Sequence, residues 1–87
     1  MSDYGINIER FMERLGSVGI TIILKVDHER MASGGKPWTI VMSGPGMGEK
    51  GTVHTDSHSL DDCLEYGISE LRSRPGEWEW IDEFLSA

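Results

Sequence analysis

The chain has 87 residues, with 8 Lys and Arg against 15 Asp and Glu, a formal net charge of −7. That length holds one domain with one core. It has no apolar run near the roughly 18 residues of a membrane span, no basic-then-apolar start of a secretory leader in MSDYGINIER, and a surplus of carboxylates that phosphate backbones repel. Apolar residues at 38 % and 11 glycines place it with globular chains, not disordered ones.

Ile8, Phe11, Met12 and Leu15 recur at i, i+3, i+4 and i+7, which predicts an amphipathic helix. Asn7 or Asp3 is suited to cap its start, and Gly16 to end it in a left-handed conformation. Residues 19–26 alternate Ile20, Ile22, Leu24 and Val26 with Thr21, Ile23 and Lys25, a β-branched strand pattern. Residues 27–36 read as a polar loop turning at Ser33-Gly34-Gly35. A second strand follows over 37–43, with Trp38, Ile40 and Met42 on one face, Thr39 and Val41 on the other, and Pro37 at its start. Gly44 to Gly51 is a glycine-rich connector, and residues 52–55 are a short third strand with Val53 and Thr55 on one face.

Ser59 and Asp62 form a near capping box for the next helix, with Asp61 and Asp62 at its positive end. Leu60, Cys63, Leu64, Gly67, Ile68 and Leu71 trace its buried stripe; Arg72 and Arg74 suit its negative end, and Pro75-Gly76 stops it. The last segment, 75–85, holds a short helix carrying Trp78, Trp80, Ile81, Phe84 and Leu85. The expected fold is α+β in the order α-β-β-β-α-α: a three-stranded antiparallel meander with helices packed on one face. The expected organisation is a single domain over 1–87, frayed at 1–6 and 86–87.

Residues 1–50 balance six basic against six acidic side chains, so the whole −7 lies in residues 51–87. On the helix after Ser59, Asp61, Asp62, Glu65, Tyr66, Ser69 and Glu70 point away from the apolar stripe. The terminal segment adds Glu77, Glu79, Asp82 and Glu83 around Trp78 and Trp80. Two tryptophans two positions apart on a helix cannot share one face, so one is expected half-exposed beside carboxylates. Trp80 with Phe84 forms one expected ridge, and Trp78 with Ile81 and Leu85 the other, buried one. Such an acidic, aromatic surface suits a basic protein partner. Candidate contact residues are Asp61, Asp62, Glu65, Tyr66, Glu70, Trp80 and Glu83, together with Met47 at the expected tip of the glycine loop.

Other motifs carry less. Gly46 to Val53 matches the G-x-G-x-x-G-x-V spacing of a kinase phosphate loop, but no V-A-I-K follows, and the dinucleotide-binding version needs a helix where a strand comes next. His54-x-Asp56-x-His58 puts three ligand types on one strand face, a small metal site as an alternative. Cys63 is the single cysteine, which excludes an internal disulfide and fits a reducing cytoplasm; it falls on the buried stripe, among acidic neighbours that disfavour a thiolate.

Residues 36–71, from the Trp38-Thr-Ile-Val-Met-Ser-Gly-Pro-Gly-Met-Gly run to the helix Ser59-Leu-Asp-Asp-Cys-Leu-Glu-Tyr-Gly-Ile, resemble the layout of HicB-type antitoxin domains. That resemblance implies pairing through a strand edge and a homodimer; the leading helix and the lack of a DNA-binding segment depart from it. The α-β-β-β-α order also resembles the double-stranded-RNA-binding domain, with Asp61-Asp62 where that family has a Lys-rich helix start. Size and acidity are similar to those of small phage accessory proteins, some of which present acidic surfaces in place of nucleic acid. The expected function is a cytoplasmic, non-enzymatic protein that binds a basic partner surface, with no cofactor, no bound metal, no direct nucleic-acid contact and no membrane contact.

Overall fold

In the computed structural model, which describes residues 7–84, the first helix α1 (Ile8–Ser17) is capped by Asn7, whose side-chain oxygen accepts from the Arg10 N–H at 3.1 Å. The alternative cap Asp3 lies outside the described residues, as does Leu85. Phe11 and Leu15 face the core, as the spacing predicts. Gly16 stays helical, and the left-handed residue is Gly19 at φ 85°. The Ile20 N–H reaches back to the Leu15 carbonyl at 3.0 Å and the Gly19 N–H to Gly16 at 3.2 Å, which closes the helix as a Schellman motif. That turn delivers Ile20 into the core just before β1 (Thr21–Val26).

The polar stretch after β1 is not all loop. Residues His28–Ser33 form a one-and-a-half-turn helix, α2, between Asp27 and Gly34. The Asp27 carboxylate accepts from the N–H groups of Glu29 (2.9 Å) and Arg30 (3.3 Å), and Gly34 ends the helix at φ 82°. No residue of α2 is buried, so no apolar stripe marks it.

Strands β2 (Trp38–Ser43) and β3 (Val53–Ser57) complete an antiparallel sheet in the order β1-β2-β3. The third strand starts one residue later and runs two residues further than the alternation indicates. Register aligns Ile22, Met42 and Val53 in one row and Leu24, Ile40 and Thr55 in the next, all on the inner face. The opposite face carries Ile23, Val41 and His54 in one row and Lys25, Thr39 and Asp56 in another.

Helix α3 (Leu60–Arg72) lies on the inner face of β2 and β3, and α1 lies beside β1. The stripe residues Cys63, Leu64, Gly67, Ile68 and Leu71 are all buried. Gly67 sets the approach of helix to sheet: a Cβ there would stand 2.9 Å from Ile40 Cδ1 and 3.2 Å from Met42 Cε. A 3₁₀ helix, Glu79–Phe84, closes the end of the core with buried Ile81. Trp80 and Phe84 form the expected ridge, and both pack on Phe11, with ring centroids at 6.2 Å and 5.8 Å. Trp78, expected on the buried ridge, is instead half-buried like Trp80: it precedes the 3₁₀ helix, its ring lies 6.4 Å from that of Trp80, and its indole N–H donates to the Arg74 carbonyl at 3.0 Å.

Candidate functional site

The carboxylates expected on one face divide between two places. Asp62, Glu65, Tyr66, Ser69 and Glu70 of α3 line a groove of about 500 Å³ together with Thr55, Asp56 and Ser57 of β3 and Lys36. Trp80 and Glu83 line a separate cleft of about 510 Å³ with Glu77, Glu79, Val18 and Arg14. The two share no lining residue. Asp61, half-buried at the start of α3, lines neither.

The α3 wall follows from local sequence. The Ser59 hydroxyl accepts from the Asp62 N–H at 3.0 Å and fixes the start of the helix. With the apolar stripe turned to the sheet, positions 62, 65, 66 and 69 must face outward. Tyr66 is 45 % exposed, an aromatic ring standing among carboxylates.

Two of the groove carboxylates are already answered. Asp56 accepts from the Thr39 hydroxyl at 2.6 Å and pairs with Arg30 at 3.0 Å. The Thr39 hydrogen bond, and then Arg30, hold the Asp56 carboxyl below its ordinary range. Arg30, reaching out from α2, also approaches Thr39 at 3.4 Å, so Thr39 is 2 % exposed although it lies on the outer sheet face. Asp27 is likewise lowered, chiefly by the Arg30 backbone N–H. At the other end, Glu70 pairs with Arg74 at 3.3 Å. Asp62 and Glu65 form no ion pair among the described residues, and neither does Lys36, so the groove holds two unpaired carboxylates and one unpaired ammonium.

The cleft at Trp80 sets one cation, Arg14, among Glu77, Glu79 and Glu83. The Arg14 guanidinium sits 5.1 Å from the centroid of the Trp80 ring and occupies the place that a partner's cation would take. Taken as a segment, α1 has balanced charges, and this use of Arg14 becomes visible only when the terminal helix folds against it.

Met47 is not at a loop tip. Residues Pro45–Met47 form a 3₁₀ turn that folds back, and the Met47 side chain is 1 % exposed in the core. The Gly46 N–H donates to the Gly19 carbonyl at 2.9 Å, and a Cβ on Gly46 would collide with Val18 and Ile20. Met47 is therefore a packing residue and is withdrawn from the contact surface. The Gly46 N–H is thus taken by the Gly19 carbonyl, whereas Gly48 and Gly51 stand in open space.

Arg74, read from sequence as a helix-end cation, is 6 % exposed. Its guanidinium donates to the carbonyls of Met47 (3.1 Å), Gly51 (3.0 Å) and Glu70 (2.7 Å). It ties the glycine-rich connector to the end of α3. The signal for this was faint: a cation before Pro75-Gly76 is also what an ordinary helix end carries.

His54, Asp56 and His58 do not assemble, and among the described residues no three His, Cys, Asp or Glu side chains gather as metal ligands. Asp56 is held by Thr39 and Arg30. Cys63 is buried, and burial pushes its thiol up, with Asp56 and Asp62 acting in the same direction and the Ser57 side chain opposing them. That is the setting of a neutral core thiol, not of a nucleophile. No helix among the described residues is long and apolar enough to cross a membrane.

Compared with known proteins, the chain matches no family model, no curated protein and no solved structure.

Proposed function

We propose that this chain is a non-enzymatic interaction protein of the cytoplasm that binds and modulates a protein partner with a basic surface through the α3 groove. The observation that carries the reading is the meeting of Asp62, Glu65, Tyr66 and Glu70 along one open groove, with Asp62 and Glu65 in no ion pair of the described chain and Lys36 the single unpaired cation beside them. Unpaired carboxylates steer a cationic partner and fix its register, and an exposed Tyr among them supplies an anchor. The cleft at Trp80 is the weaker candidate because Arg14 already occupies it. The sharpest form of the proposal is an inhibitor, of the kind carried by phages and mobile elements, whose carboxylates take the place of nucleic-acid phosphates in a partner's basic groove. The single cysteine, buried and unpaired, suits a reducing compartment.

The test is retention of a basic partner by the wild-type chain and by the Asp62→Lys, Glu65→Lys variant. Loss of the partner at matched folding supports the reading. Equal retention makes the face a solvating one and overturns the reading.

A further inference from the structure

We infer that the groove takes its partner as an extended segment, added as a fourth strand to the open edge of β3, with Lys or Arg at alternate positions facing α3. The inference rests on the proposed reading of the groove and adds the mode of binding.

Among the described residues the strand order β1-β2-β3 gives β3 a strand neighbour on one side only. Its other side presents alternate N–H and C=O groups beside the groove, a template for a further strand. Edge strands are commonly guarded by shortness, Pro or charged side chains, Lys above all; β3, five residues reading Val-His-Thr-Asp-Ser, has no Lys or Pro, and its one charge, Asp56, is tied back to Thr39 and Arg30. A strand edge with a helix along its flank offers an extended segment two things at once. The edge supplies main-chain hydrogen bonds, and the helix supplies a wall for every second side chain.

The spacing agrees. From Asp62 to Glu70 the helix rises about 12 Å, and side chains i, i+2 and i+4 of an extended strand span about 13 Å. With the added strand running alongside α3, three successive inward side chains would meet Asp62, then Glu65 with Tyr66, then Ser69 with Glu70. Asp56 and Glu70 are paired with Arg30 and Arg74, so Asp62 and Glu65 select the cationic positions. Tyr66 offers its ring to a Lys or Arg stem. A second copy pairing β3 to β3 would bring two sets of Asp62 and Glu65 to one seam, and that like charge opposes self-addition at this edge.

The test is a backbone-amide NMR titration of the full chain with a peptide of alternating Lys and Val, about nine residues long. Two versions N-methylated on alternate sets of amides and a helical peptide of equal charge complete the set. Strand addition predicts shifts at Val53–Ser57 and along the outer face of α3. It also predicts that one N-methylated version binds about tenfold more weakly or worse while the other is unaffected, since only one set of N–H groups meets β3. Equal binding by both N-methylated versions and the helical peptide overturns strand addition and leaves the acidic reading standing. Shifts confined to Thr21–Val26, shifts that track protein concentration, or no shift at all also overturn it. The reading beneath it is judged separately by the Asp62→Lys, Glu65→Lys comparison.

Discussion

The Nε of Arg74 donates to the Met47 carbonyl oxygen at 3.1 Å, across 27 positions of sequence. With the Gly51 and Glu70 carbonyls on its other nitrogens, this one side chain closes the glycine-rich connector onto the end of α3. Arg74→Met keeps the apolar stem and removes the donors, leaving inward-turned carbonyls without a partner. The expected loss is about 2–4 kcal/mol, read from urea unfolding. Arg74→Lys should recover only part of it, because an ammonium lacks the planar fork. A loss below about 0.5 kcal/mol for Arg74→Met would mean that water serves those carbonyls equally well.

Met47 gives a second test of the same closure. At a solvent-exposed tip, Met47→Ala would cost almost nothing. Buried at 1 % exposure, it should cost roughly 2–4 kcal/mol. Thermal or urea unfolding of that variant separates the two arrangements directly.

The Asp56 cluster predicts a dependence on pH. The folded carboxyl is held below its ordinary value by Thr39 and Arg30. Its ionised form is favoured by folding, so the stabilisation is present in full above the ordinary carboxylate range. It is lost as pH falls through the lowered value. The stability gap between wild type and Asp56→Asn should be open at neutral pH and close below about pH 4. Urea midpoints across that range check it, and a gap unchanged at low pH would contradict it.

How far this was legible in the sequence depended on whether the signal was local. The stripes of α1 and α3 are periodic patterns that burial imposes, and the structure reproduces them; it also keeps Ile40 and Met42 on the face opposite Thr39 and Val41, although Arg30 covers Thr39. The short helix α2 was hidden because six solvated residues have no stripe. Its caps, Asp27 and Gly34, are also the residues of an ordinary turn. Met47 was misplaced because flanking glycines look like an exposed loop, whereas here they permit a close fold-back onto Val18 to Ile20. The carboxylates of α3 were found by their outward phase. Their neighbour in the groove, the edge of β3, depends on strand order, and the helical phase says nothing of it.

Because Asp62 and Glu65 face outward, reversing them should leave the fold intact. Glu65→Lys is expected to change stability by less than about 0.5 kcal/mol. Asp62→Lys should cost a few tenths to about 1 kcal/mol, since it places a cation in the first turn of α3. Unfolding curves of each variant establish this before any binding is compared. A larger loss would mean that the groove wall is structural.

The central claim is that the α3 groove, and not the cleft at Trp80, engages a basic partner. The most direct measurement is retention of one basic partner by two folded variants: Asp62→Lys with Glu65→Lys in the groove, and Glu79→Lys with Glu83→Lys in the cleft. The expected result is loss of the partner in the first and retention in the second. Retention in the first with loss in the second would contradict it and move the site to Trp80.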